Sequence, residues 1–142
     1  MQKEDAGYIV DLDGTMYNGT AKIEEAADFV KRLRAANKPL LFLTNNSTSH
    51  PEDVVKKLKM VSDVEAYPEE IFTSTMATIA YLDKQENVKR VYVIGEAGLK
   101  DGLQEAGYEL AEEDVDAVVV GLHRNVTYHD FEIATLLIQK GA

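Results

Sequence analysis

Short runs of apolar residues alternate along this chain with amphipathic stretches that repeat at a helical period. Five runs are apolar at nearly every position, which is typical of strands in a parallel sheet covered on both faces. These runs are residues 8–10, 40–43, 71–73, 91–94 and 117–120. Between them, apolar residues recur three or four positions apart and predict helices. The alternation predicts an α/β fold in which right-handed helical crossovers join parallel strands.

Composition narrows the class of protein. The chain has 142 residues, of which 45% are apolar and 28% charged, enough for one medium domain or two small ones with a packed core. Its net charge of −10 disfavours binding to nucleic acid or to an anionic membrane. The sequence contains no cysteine, which excludes disulfides and thiolate zinc sites. No apolar run approaches the ~20 residues that cross a bilayer, and the polar residues 1–5 are unlike a secretory signal. We therefore expect a cytoplasmic protein.

Polar side chains follow the first two predicted strands. Asp11 and Asp13 come after the first strand, and Thr44 and Asn45 come after the second. Ligands of open parallel sheets bind at the carboxyl ends of the strands. The i, i+2 spacing lets both carboxylates point the same way, and a hard cation such as Mg²⁺ would relieve their repulsion.

This arrangement suits phosphoryl transfer. Asp11, held ionised by the cation, can attack phosphorus, and Asp13 can protonate the leaving oxygen and later deprotonate a water. Gly14 permits a tight turn that brings backbone N–H groups near a phosphate, while Thr44 and Asn45 can donate to the phosphoryl oxygens. An isolated D-x-D-G-T segment is also compatible with a capped turn without chemistry. The second polar cluster favours the functional interpretation.

The segment Asp11-Leu12-Asp13-Gly14-Thr15 resembles the first motif of the haloacid dehalogenase superfamily of aspartyl-phosphate hydrolases, and Thr44-Asn45 resembles the second. Residues 43–47, 93–99 and 118–122 are similar to the NagD-like, para-nitrophenylphosphatase-type subfamily, and the likeness extends over nearly the whole chain. The resemblance implies a Rossmann-like core interrupted by an α/β cap. We expect residues 1–85 to be the N-terminal part of the core and residues 86–142 to be part of the cap.

The resemblance also implies an activity and a set of roles. The activity is Mg²⁺-dependent hydrolysis of a small phosphorylated metabolite. Asp11 would be the nucleophile and Asp13 the acid/base. Thr44 and Asn45 would bind the phosphate, together with the loop at Leu12 and Gly14. The Asp11 carboxylate and the Asp13 backbone carbonyl would ligate the metal.

The sequence departs from the family pattern at two points. The family continues past such a cap segment to a lysine and a Gly-Asp-rich acidic motif, whereas this sequence ends at Gly141-Ala142. Because those groups would stabilise the phosphoryl-enzyme and complete the metal shell, we expect this chain alone to be weak or inactive. Exposed strand edges and apolar faces would allow a homo-oligomer to form. His123 stands where an aspartate is expected after Gly-Leu, so the resemblance does not carry over a contact between cap and substrate at this position.

Two alternatives from other classes stay open. One is a non-catalytic, receiver-like module that binds a phosphorylated metabolite, and the other is a dimerising module. Receivers are phosphorylated on an aspartate after a later strand, whereas Ser74-Thr75 follow the third strand here. The three histidines, His50, His123 and His129, lack the spacing of metal ligands.

Overall fold

The computed structural model describes residues 7–142, and the polar segment 1–5 that entered the localisation argument lies outside them. The helices are α1 (Glu24–Ala35), α2 (Pro51–Ser62), α3 (Ser74–Leu82), α4 (Ala97–Glu105) and α5 (Tyr128–Gln139). The strands are β1 (Tyr8–Asp11), β2 (Tyr17–Asn18), β3 (Ala21–Lys22), β4 (Leu40–Thr44), β5 (Ile71–Thr73), β6 (Arg90–Ile94), β7 (Glu109–Leu110) and β8 (Ala117–Val120). None of the helices in this described part is long and apolar enough to cross a membrane.

The described residues group into two compact units. The first unit runs up to Asn45 and resumes over Pro51–Thr73, and the second comprises Asn46–His50 and Ser74–Ala142. Five strands were predicted from sequence, and each corresponds to a strand of the structure. The expected assignment of residues 1–85 to a catalytic core and 86–142 to a cap stays a prediction.

The first unit is built on a parallel sheet with the strand order β1-β4-β5. One face of this sheet carries Val10, Phe42 and Ile71, which belong to the same buried core as Val30 of α1 and Leu58 of α2. The strands β2 and β3 form a short antiparallel hairpin after β1. This hairpin was not predicted, because two residues per strand are too few to show a period.

The expectation that both faces of the strands are covered is wrong for β1. Ile9 is 70% exposed and Leu43, on the neighbouring strand β4, is 40% exposed. Since side chains alternate between the faces of a strand, these two residues lie opposite the buried Val10 and Phe42. An apolar run shows that both faces are apolar, and it does not show that both are covered.

The second unit is built on a parallel sheet with the order β7-β6-β8. Alternate residues of β6 enter two different cores: Val91 packs with Leu99 and Leu103 of α4, and Tyr92 packs with Leu137 of α5. This sheet therefore has apolar cores on both faces, as its continuous apolar strands predicted.

Candidate active site

A tight turn after β1 carries the first sequence motif. Leu12 is fully buried, and its carbonyl accepts hydrogen bonds from the N–H groups of Thr15 at 3.1 Å and Met16 at 2.8 Å. Gly14 has a φ of 85°, which only glycine adopts readily, and its N–H donates to the carbonyl of Tyr17 at 2.7 Å. The positive φ at this position of the turn therefore explains why the motif has a glycine there.

Asp11 and Asp13 flank the buried Leu12, and both are exposed. Because alternate side chains of an extended segment point to the same side, burial of Leu12 directs the two carboxylates outward. The hydroxyl of Thr15 donates to Oδ2 of Asp11 at 3.2 Å and closes the motif on itself.

Lys57 of α2 brings a positive charge to this loop. Its Nζ lies 3.6 Å from Oδ1 of Asp13 and 4.0 Å from the ring centroid of Tyr17. Tyr17 is buried, and this burial, together with the nearby charges of Asp13 and Asp11, raises the pKa of the Tyr17 phenol to about 12. The ring below the ammonium is therefore a neutral phenol, which is a suitable face for a cation–π contact.

The C-terminal end of α2 holds the same loop from inside the unit. The buried Ser62 hydroxyl donates to the backbone carbonyl of Met16 at 2.9 Å. Helix α2 thus contacts the motif loop at two points, through Lys57 on the surface and through Ser62 in the core.

The second polar cluster lies at the end of the adjacent strand. The parallel register pairs Asp11 of β1 with Leu43 of β4, so that Thr44 is the next residue at the carboxyl end of β4. Thr44 is buried and registers with Thr73 of β5, and the exposed Asn45 follows it. The structure therefore brings Asp11, Asp13, Thr44 and Asn45 to one edge of the sheet in the first unit.

The remaining two site residues, Leu12 and Gly14, contribute in a narrower way. The Leu12 side chain is buried in the core, so that only its backbone could meet a phosphate. The Gly14 N–H is engaged with the Tyr17 carbonyl. Phosphate binding at these two residues, like the roles of the other four, stays a prediction.

The donor set can be compared with what a divalent cation needs. Within residues 7–142 no cluster of three or more His, Cys, Asp or Glu side chains could hold a metal ion. Asp11 offers an exposed carboxylate, and Asp13, two residues further on, offers a backbone carbonyl. Mg²⁺ commonly binds through one or two carboxylates, keeps several waters and contacts the substrate phosphate. These two residues fit the protein's share of such a site.

The three histidines make other contacts. His50 Nε2 lies 3.2 Å from Oδ2 of Asp101, and His129 Nδ1 lies 3.2 Å from Oε2 of Glu132. The Nδ1 atom of His123 accepts a hydrogen bond from the backbone N–H of Asn125 at 3.1 Å. None of these contacts joins two histidines.

Lys57, Tyr17 and Ser62 are the contributors to this site that sequence reasoning missed. Lys57 is one of three lysines close together on α2, with Lys56 and Lys59, and its spacing does not distinguish it from them. Only the three-dimensional contact with Asp13 identifies Lys57 as part of the site.

The comparison with known proteins decides the family. Residues 8–109 match the model of the haloacid dehalogenase-like hydrolase family. The chain belongs to this family. The family's Rossmann-like core and the mixed α/β fold with parallel sheets, both expected from sequence, are thereby confirmed.

This haloacid dehalogenase-like chain is similar in sequence to curated phosphatases and a nucleotidase. It is 46% identical over 136 residues to 5'-nucleotidase YutF of Bacillus subtilis, covering 96% of this chain and 53% of that protein. It is 44% identical over 141 residues to acid sugar phosphatase of Staphylococcus aureus, covering 99% of this chain and 54% of that protein. The chain thus spans about half the length of the curated relatives it matches.

Solved structures of the family give the same result. A double mutant of the thermostable NPPase from Geobacillus stearothermophilus superposes with a TM-score of 0.89 at 46% identity, covering 96% of this chain and 53% of that one. NagD from E. coli K-12 superposes with a TM-score of 0.87 at 27% identity, covering 96% of this chain and 54% of that one. The likeness to NagD that the sequence indicated is therefore confirmed.

Proposed function

We propose that this haloacid dehalogenase-like protein is a Mg²⁺-dependent phosphatase of small phosphate monoesters and works through an aspartyl-phosphate on Asp11. One observation carries the proposal. The exposed carboxylates of Asp11 and Asp13 flank a buried Leu12 at the same sheet edge as Thr44 and Asn45. The names of the relatives, a nucleotidase and sugar phosphatases, support the same reaction class.

The reaction has two steps. An oxygen of Asp11 attacks the phosphorus, and the ester oxygen leaves with a proton from Asp13. Asp13 then takes a proton from a water whose oxygen attacks the same phosphorus, which releases phosphate and regenerates Asp11. The Thr44 hydroxyl and the Asn45 amide donate to the phosphoryl oxygens, where negative charge is concentrated. Mg²⁺, held by the Asp11 carboxylate and the Asp13 carbonyl, would neutralise part of that charge.

The proposed division of the chain into a catalytic core and a cap follows from the roles given to these residues. Residues 1–85 contribute the nucleophile, the acid/base and the phosphate-binding residues of a catalytic core. Residues 86–142 belong to a cap, the part that would face the organic portion of the substrate. The substrate class is a small phosphorylated metabolite.

Hydrolysis of p-nitrophenyl phosphate tests the proposal, with Mg²⁺ and with a chelator, at high protein concentration. We expect weak Mg²⁺-dependent turnover, in keeping with the departures from the family pattern, and its loss in Asp11→Asn, because the amide is a poor nucleophile. Asp28→Asn, the same change at an exposed position of α1, is the matched control and keeps its activity. Turnover that survives in Asp11→Asn contradicts the proposal, and phosphate binding without turnover favours the non-catalytic alternative.

A further inference from the structure

Lys57 contacts the proposed acid/base from a different element of the first unit. Its ammonium lies 3.6 Å from Oδ1 of Asp13, and the two side chains are 38% and 48% exposed. An ion pair this exposed contributes little to stability, because water and salt screen it. A role for this contact would therefore lie in placing the Asp13 side chain rather than in stabilising the fold.

A second contact fixes the ammonium in place. Lys57 Nζ lies over the ring of Tyr17 at 4.0 Å from its centroid, and Tyr17 is buried. Tyr17 also accepts the Gly14 hydrogen bond through its carbonyl and forms a bridge with Asp13 in the backbone pairing. The ring that holds Lys57 and the backbone that carries Asp13 thus belong to one closed turn.

We propose that Lys57 is a positioning residue that holds the Asp13 side chain in the orientation from which its protonated carboxyl group gives a proton to the leaving oxygen. This inference rests on the proposed function, since it assigns Lys57 a role only through Asp13. Tyr17 acts as the platform that keeps the Lys57 ammonium at the required place. In this role Lys57 acts through Asp13 and does not bind the phosphate.

The proposal predicts a dependence on the leaving group. A nitrophenolate leaves readily without a proton, whereas an alkoxide needs one from a general acid. Disturbing Asp13 should therefore slow the transfer from an alkyl phosphate more than the transfer from p-nitrophenyl phosphate. A lysine that bound the phosphate itself would affect both substrates equally.

The kinetic test compares glycerol phosphate with p-nitrophenyl phosphate in the wild type, Lys57→Met, Lys57→Arg and the control Lys56→Met. We compare kcat/KM, which reports the steps up to loss of the leaving group. In Lys57→Met we expect the value for glycerol phosphate to fall about tenfold more than the value for p-nitrophenyl phosphate, a fraction of the ~10²–10⁴-fold effect of general acid–base catalysis. Lys57→Arg should restore most of the ratio, and Lys56→Met, whose side chain pairs with Asp53, should not change it. An equal fall for both substrates would overturn the proposal.

A second measurement does not depend on turnover. Three-bond NMR couplings between Hα and Hβ of Asp13 report whether its side chain occupies one rotamer. We expect one Asp13 rotamer to be more populated in the wild type than in Lys57→Met, with Lys56→Met like the wild type. Couplings that do not change in Lys57→Met refute the positioning role. If the wild type shows no turnover at all, the proposed function fails, and the couplings still decide whether Lys57 orients the Asp13 side chain.

Discussion

The hydrogen bond from Ser62 to Met16 joins helix α2 to the loop that carries Asp13, and its removal should loosen that loop selectively. The Ser62 hydroxyl donates to the Met16 carbonyl at 2.9 Å, and both residues are buried. Ser62→Ala deletes one oxygen atom and keeps a residue that favours helix. The substitution therefore isolates this one contact.

The expected magnitude follows from burial. A hydrogen bond contributes a net ~0.5–1.5 kcal/mol, and a buried acceptor that loses its donor costs ~1–3 kcal/mol. For the buried Met16 carbonyl the second range applies, which corresponds to a roughly 5- to 150-fold change in the opening equilibrium of the loop. The substitution leaves every apolar side chain of the first unit's core in place, so we expect the loop to open without the unit unfolding.

Amide hydrogen exchange, read by mass spectrometry on peptides that cover residues 12–17, measures this opening. Exchange at residues 12–17 should be roughly 5- to 150-fold faster in Ser62→Ala than in the wild type, while exchange in α5 of the second unit should not change. Thr135→Ala is the matched control, because its hydroxyl also donates to a backbone carbonyl, that of Phe131 at 2.7 Å, but at an exposed site. Unchanged exchange at residues 12–17, or an equal effect there from Thr135→Ala, would refute the reasoning.

Three further predictions concern stability and association. The Arg34 guanidinium bonds both carboxylate oxygens of Glu70, at 2.9 and 2.7 Å, and lowers the pKa of Glu70 from its usual 4.5. The contribution of this ion pair to the free energy of unfolding is present at neutral pH and is lost as the pH falls below about 4.5. The free energy of unfolding in urea should therefore depend more steeply on pH in the wild type than in Glu70→Gln. Gly98→Ala would place a methyl group 2.6 Å from the backbone nitrogen of Ser49, and we expect it to lower the free energy of unfolding by about 1–3 kcal/mol in denaturant titrations. Ile9, 70% exposed, should promote self-association, so light scattering should report a smaller mass for Ile9→Ser than for the wild type, and a wild-type monomer at high concentration would contradict this.

The longer strands were predictable because their apolar runs end at polar or turn-forming residues. The runs 71–73 and 117–120 coincide with β5 and β8, and β1 extends one residue beyond its run, to Asp11. The two-residue strand β7 gave no signal, because pairing with β6 rather than its own pattern makes it a strand. The local sequence pattern therefore predicts the long strands of this fold, whereas the short strands form through tertiary contacts.

The candidate site divides in the same way. Asp11, Asp13, Thr44 and Asn45 were predictable as neighbours, because parallel strands bring their carboxyl ends to one edge. The contact between Lys57 and Asp13 was not, because the two residues are far apart in sequence and meet only when α2 packs on the sheet. The prediction that both faces of β1 are buried was wrong for the face that carries Ile9, since an apolar residue does not reveal whether another element packs against it.

The most direct test of the central claim is chemical trapping of the intermediate. Hydroxylamine attacks the carbonyl carbon of an acyl phosphate and expels phosphate, which leaves a hydroxamate on the aspartate. After incubation with p-nitrophenyl phosphate and Mg²⁺ and a hydroxylamine quench, peptide mass spectrometry should find the hydroxamate at Asp11, and no such product in Asp11→Asn. A hydroxamate on another residue, or phosphate release from the ester with Asp11 unmodified, would contradict the account.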